Sequence, residues 1–157
     1  MDYSFAALIG LHTLAAMIWV GGLFFAHMIL RPSVAEMSPS LRLQLYRHLL
    51  PRFFKWVAIA ILVLLATGYG VLLTGYRGGI FGGNLHIDLM QIIGAVMIVL
   101  YLFVLVGPYG SFKRALERND TAAAVTAQGR MRHLLVINLL LGLFVTFIGA
   151  AGTFVGY

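Results

Sequence analysis

FAALIGLHTLAAMIWVGGLFFAHMIL, Phe5 to Leu30, contains no charged side chain, has only His12, Thr13 and His27 as polar residues, and is closed by Arg31. A helix needs about 20 mostly apolar residues to cross the hydrocarbon of a bilayer, so this stretch reads as a transmembrane helix. Three further apolar runs follow, giving spans at about 5–30, 53–76, 87–108 and 133–157. Together they use nearly the whole chain. The fold predicted is all-α, an integral membrane four-helix bundle forming a single domain over residues 1–157. Composition agrees: 61% of residues are hydrophobic and 10% charged, with a mean hydropathy of +0.95. The first span lacks a basic segment before it and has positive charge after it, so it reads as a retained helix and not a signal peptide.

The net charge of +6 does not point to nucleic acid, because of where the charges lie. Arg31, Arg42, Arg47, Arg52 and Lys55 fall between spans one and two, and Lys113, Arg114, Arg118, Arg130 and Arg132 between spans three and four; only Arg77 is in the second loop. The positive-inside bias then puts the first and third loops in the cytoplasm and both termini outside. A bacterial inner membrane, with lipid headgroups as the partner of the basic loops, is the expected setting.

The connections carry their own signals. Pro32 and Ser38-Pro39-Ser40 end the first helix, and LRLQLYRHLLPRFFKW reads as a short amphipathic interfacial segment before span two. The second loop, GYRGGIFGGNLHID, is rich in glycine but lacks the lysine and hydroxyl residue of a phosphate loop. Asn119-Asp120-Thr121 is placed to cap a helix that runs into span four.

No cysteine is present, which removes disulfides and thiolate metal sites. The polar groups available inside the membrane are His12, Thr13, His27, Thr67, Gln91, Asn138 and Thr146, with Thr74, His86, Asp88, His133 and Thr153 near span ends. An imidazole in hydrocarbon is costly, and it usually faces a bundle interior, where it serves a ligand or a proton. His27 follows His12 by fifteen residues, about four turns plus 60°, and about 22 Å along the axis. Both rings are therefore expected to face the bundle, in opposite leaflets. Such an arrangement suits haem iron, which takes strong axial donors from facing helices. The candidate ligands are His12 with His86 on the outer side and His27 with His133 on the inner. Counted from the span middles, the inner pair differs in depth by about 5 Å and the outer pair by about 9 Å, which leaves Gln91 as another neighbour for His12.

Trp19 either lines a cofactor or fills core. Gly21, Gly22, Gly68, Gly70, Gly94, Gly142 and Gly149 leave room for a flat ligand and equally for close helix packing. Arg52 and Lys55 on the inner side and Arg77 on the outer are candidate partners for haem propionates.

The LH pair at Leu11-His12, the W-x-G-G-L-F-F run from Trp19 and Arg31-Pro32 at the helix exit resemble the first helix of the copper-resistance D (CopD) domain proteins and the HemJ-type protoporphyrinogen oxidases. That resemblance implies a four-span bundle and, on the HemJ side, haem b bound through His12; on the CopD side it implies copper uptake or tolerance. Span three reads HIDLMQ from His86 to Gln91, without the basic residue of the HemJ pattern. Met17, Met28, Met90 and Met97 are candidate thioether ligands for Cu(I), and His86 and Met90 are four apart. The expected function is thus a haem b protein, with one haem or two, in electron transfer or in oxidation linked to porphyrin or quinone. A copper protein of CopD type is the alternative, as is a small subunit of a larger respiratory complex. A homo-oligomer or a partner membrane subunit fits any of these.

Overall fold

The computed structural model describes residues 3–74 and 85–152. Among them four helices are long and apolar enough to cross a membrane: α1 (Tyr3–Ser33), α2 (Pro39–Thr74), α3 (Leu85–Glu117) and α4 (Thr121–Gly152). No strand occurs among the described residues. Arg77, the glycine-rich second loop and Thr153 lie outside them.

Short links join α1 to α2 and α3 to α4, so each pair packs antiparallel. Both links and ten of the eleven basic residues fall at one end of the bundle, called here the Arg-rich end. At about 1.5 Å per residue the helices run to about 45–55 Å, well beyond the roughly 30 Å hydrocarbon layer.

The amphipathic segment before span two is no separate element: it continues into the span as a single helix of 36 residues with Pro51 inside it. Asp120 caps α4, its carboxylate accepting from the Ala123 N–H at 2.9 Å. The turn before it is closed by Asn119 at φ 54°, a conformation asparagine tolerates better than most residues.

The core joins the helices through aromatic contacts. Trp19 is 3% exposed and meets Tyr101 edge-on at 6.5 Å between centroids. Tyr101 also packs edge-on against Phe54 and donates its hydroxyl to the Phe54 carbonyl at 2.8 Å. Asn138, 1% exposed, donates its amide to the Met97 carbonyl at 3.1 Å and so ties α4 to α3. Elsewhere large apolar side chains face outward, among them Leu62, Val106 and Phe147. An outward apolar surface of this kind is stable in lipid and not in water.

Two stretches depart from α geometry. Phe25–Leu30 in α1 and Leu105–Tyr109 in α3 are π-helical, and such widened turns often mark functional positions. His27 lies in the first. A π turn takes more residues than an α turn, so the angular count from His12 to His27 at 100° per residue does not carry across it.

Candidate functional site

His12 is half-buried on the face of α1 that meets α2. Its Nδ1 lies 3.0 Å from the Thr67 hydroxyl oxygen. That hydroxyl donates its own proton to the Val63 carbonyl, 2.6 Å away, so the oxygen offers the imidazole a lone pair. That arrangement suits the tautomer in which Nδ1 carries the ring proton and donates to Thr67, with Nε2 keeping its lone pair in the neutral ring. The ring lies against Gly68: a methyl group there would sit 3.2 Å from His12 Cε1. Thr67 and Gly68, adjacent on α2, thus orient the imidazole and make space for it.

His86 has a different neighbour. It opens α3 and packs against Gly152 near the end of α4, where an added Cβ would fall 2.5 Å from its Cγ. With Leu85, Leu89, Phe147, Ile148, Ala151 and Gly152 it lines a cavity of about 170 Å³. The relative depth of His12 and His86 follows from Gly142, whose Cβ position contacts both Val20 and Met97. Counting outward from those two residues puts His86 about 5 Å beyond His12, closer than the span middles suggest. What separates them is direction: His12 turns to α2 and His86 to α4.

At the Arg-rich end a cavity of about 300 Å³ opens between α1, the start of α2 and the start of α4. Its polar lining is His27, Arg31, Arg42, Tyr46, Gln128 and Arg132. Leu23, Leu50, Phe53 and Leu135 give it an apolar floor. His133 is level with His27 to within about 3 Å by the same count from Gly142. Its ring, however, is exposed and donates Nδ1–H to the Gly129 carbonyl of its own helix at 2.9 Å. One residue is about 100° of helix, and that step sends Arg132 into the cavity and His133 away from it.

The remaining candidates are also placed. Trp19 is core, against Tyr101. Gly22 carries the Phe53 ring, 3.1 Å from where its Cβ would be. Arg52 is exposed and does not line the cavity. Gly70 meets Leu8, Gly142 meets Val20 and Met97, and Gly149 meets Met90, so these glycines serve helix contact. Gly21 and Gly94 have open space beside them. Of Met17, Met28, Met90 and Met97, the first two are exposed and the last two fill gaps over glycines.

Residue counting missed the Thr67–His12 pair, although both residues were visible as polar groups in the spans. Counting from the link does not pair them either: His12 lies 21 residues before Ser33 and Thr67 lies 28 after Pro39, an offset of about two helical turns that only the packing of α1 on α2 sets. The convergence of Arg31, Arg42 and Arg132 was hidden, since their positions among the loops already had a sufficient explanation in topology. The chain matches no protein-family model, no curated protein and no solved structure.

Proposed function

We propose that this chain is a haem b-binding membrane protein of electron transfer, in which His12 Nε2 would hold the iron. The observation that carries the reading is the Thr67 contact at 3.0 Å. Metal-ligating histidines nearly always donate their other ring N–H to an oxygen, which selects the tautomer and holds the ring. His12 has that arrangement in the span interior, where a histidine without a role is costly. The resemblance of the Leu11–Pro32 run to HemJ-type proteins points the same way. Bound haem supplies a one-electron redox centre. The protein's part is to orient the imidazole through Thr67 and to seat its ring against Gly68.

The experiment is an absorption spectrum of the full chain purified in mild detergent. A Soret band with reduced α and β bands is expected, and His12→Ala is expected to remove them. A colourless preparation, or one whose haem survives that substitution intact, overturns the reading. His86→Ala separates one ligand from two: with His86 directed at α4, the spectrum of the His12 haem is expected to persist.

One observation favours a second reading. His86 and Met90 both face α4, over Gly152 and Gly149, so an imidazole and a thioether share a face within one turn, a donor pair suited to Cu(I). Stoichiometric copper in a colourless preparation, lost on His86→Ala, would move the assignment to copper handling.

A further inference from the structure

The cavity at the Arg-rich end has a charge imbalance that the haem reading leaves unexplained. Arg31, which is exposed, and Arg42 and Arg132 line it together with His27, and no carboxylate residue is among its lining residues. Glu36, one residue beyond the lining Ala35, is exposed and apart from it. Arg42 and Arg132 are half-buried, and Arg42 and Arg31 both lie close enough for their charge to act on the Tyr46 hydroxyl. Like charges gathered in a partly desolvated site repel one another unless an anion joins them.

The rest of the lining identifies the anion. The floor of Leu23, Leu50, Phe53 and Leu135 accepts hydrocarbon, and a small soluble anion would leave it wet. Planar guanidinium groups bind phosphate oxygens through paired N–H donors. Basic pockets between transmembrane helices at a headgroup-level boundary are suited to anionic lipids. The cavity lies at the end of the bundle where the helices outrun the hydrocarbon layer, which is headgroup depth.

We infer that this cavity is a binding site for an anionic glycerophospholipid, its phosphate held by Arg31, Arg42 and Arg132 and its acyl chain laid along Leu23, Phe53 and Leu135. Tyr46 and Gln128 are placed to hydrogen-bond the polar headgroup. Three helices contribute to one headgroup, so the lipid adds to the core packing of Leu43, Leu50 and Met131 in holding α1 and the start of α2 to α4. The inference does not depend on haem at His12, which lies toward the opposite end of the bundle.

The test uses the full chain in a zwitterionic detergent, with native mass spectrometry and thermal unfolding as readouts. Phosphatidylglycerol, phosphatidylcholine and inorganic phosphate are added in separate arms. Phosphatidylglycerol is expected to be retained and to raise the unfolding temperature, with the other two having little effect. Arg31→Gln with Arg132→Gln is expected to weaken retention about tenfold for each guanidinium removed. Arg47→Gln with Arg118→Gln, exposed arginines outside the cavity, is expected to leave retention unchanged and so controls for general loss of charge. Equal retention of the two lipids, or equal loss in the control variant, overturns the proposal. So does full stabilisation by inorganic phosphate alone, which would make this a site for free anions. A fall in haem content on Arg31→Gln with Arg132→Gln would also overturn it, by assigning the cavity to porphyrin propionates.

Discussion

The tautomer of His12 is coupled to a proton on another helix. Thr67 donates to Val63 of its own helix, a bond that threonine commonly forms to the carbonyl one turn back. With that proton taken, the hydroxyl oxygen is an acceptor for Nδ1–H, and in that tautomer Nε2 would be the atom free to hold a metal. Thr67→Val keeps the shape and removes the acceptor. It is expected to lower haem retention about 10- to 100-fold, the usual cost of deleting the outer partner of a metal-bound histidine. Thr67→Ser, which restores the hydroxyl, is expected to recover most of it. The haem-to-protein absorbance ratio under dilution reads both, and equal retention by the valine and serine variants would leave Thr67 without an orienting part. The histidine in span one was legible from the sequence because an imidazole in hydrocarbon is conspicuous. Thr67 was not, because threonine satisfies itself along a helix and costs little there.

Elements pack here through small residues and a few polar ties, since lipid supplies no hydrophobic force between helices. Gly142 is the closest approach among the central glycines: an added Cβ would meet Val20 Cγ2 at 2.8 Å and Met97 Cε at 3.1 Å. Gly21 has nothing within 4 Å. Gly142→Ala is therefore expected to destabilise the bundle by about 1–3 kcal/mol through overpacking, whereas Gly21→Ala is neutral or slightly stabilising because alanine is the better helix former. Thermal unfolding in one detergent compares them, and similar shifts for both would contradict the packing described. Glycine in a span reads the same whether it faces lipid, a neighbour or a ligand, so the sequence alone left all seven glycines equivalent. The amphipathic segment ahead of span two was recognisable by its alternation of leucine and basic residues. Its fusion with the span into one helix of 36 residues was not, because Pro51 reads locally as a break, and the packing of Leu43, Leu50, Phe54 and Val57 into the core overrides it.

Across the described residues, the basic side chains and the two links collect at one end, for which the positive-inside bias predicts a cytoplasmic position. The chain contains no cysteine, so single cysteines report topology without background. Ser38→Cys and Asn119→Cys, in the two links, are expected to react with an impermeant maleimide only after the membrane is opened, and Tyr3→Cys in intact spheroplasts. The reverse pattern would invert the orientation and move the arginine cavity to the outer leaflet. Four spans, their order and the end that bears the charge were determined by the sequence alone, because burial in hydrocarbon depends on length and polarity summed along the chain. Which groups meet was decided only by the tertiary structure. His12 with Thr67, His86 with Gly152, and Arg132 in place of His133 at the cavity all depend on how each helix is rotated against its neighbours. A step of one residue turns a side chain by about 100°, and only the packing of neighbouring helices selects that angle.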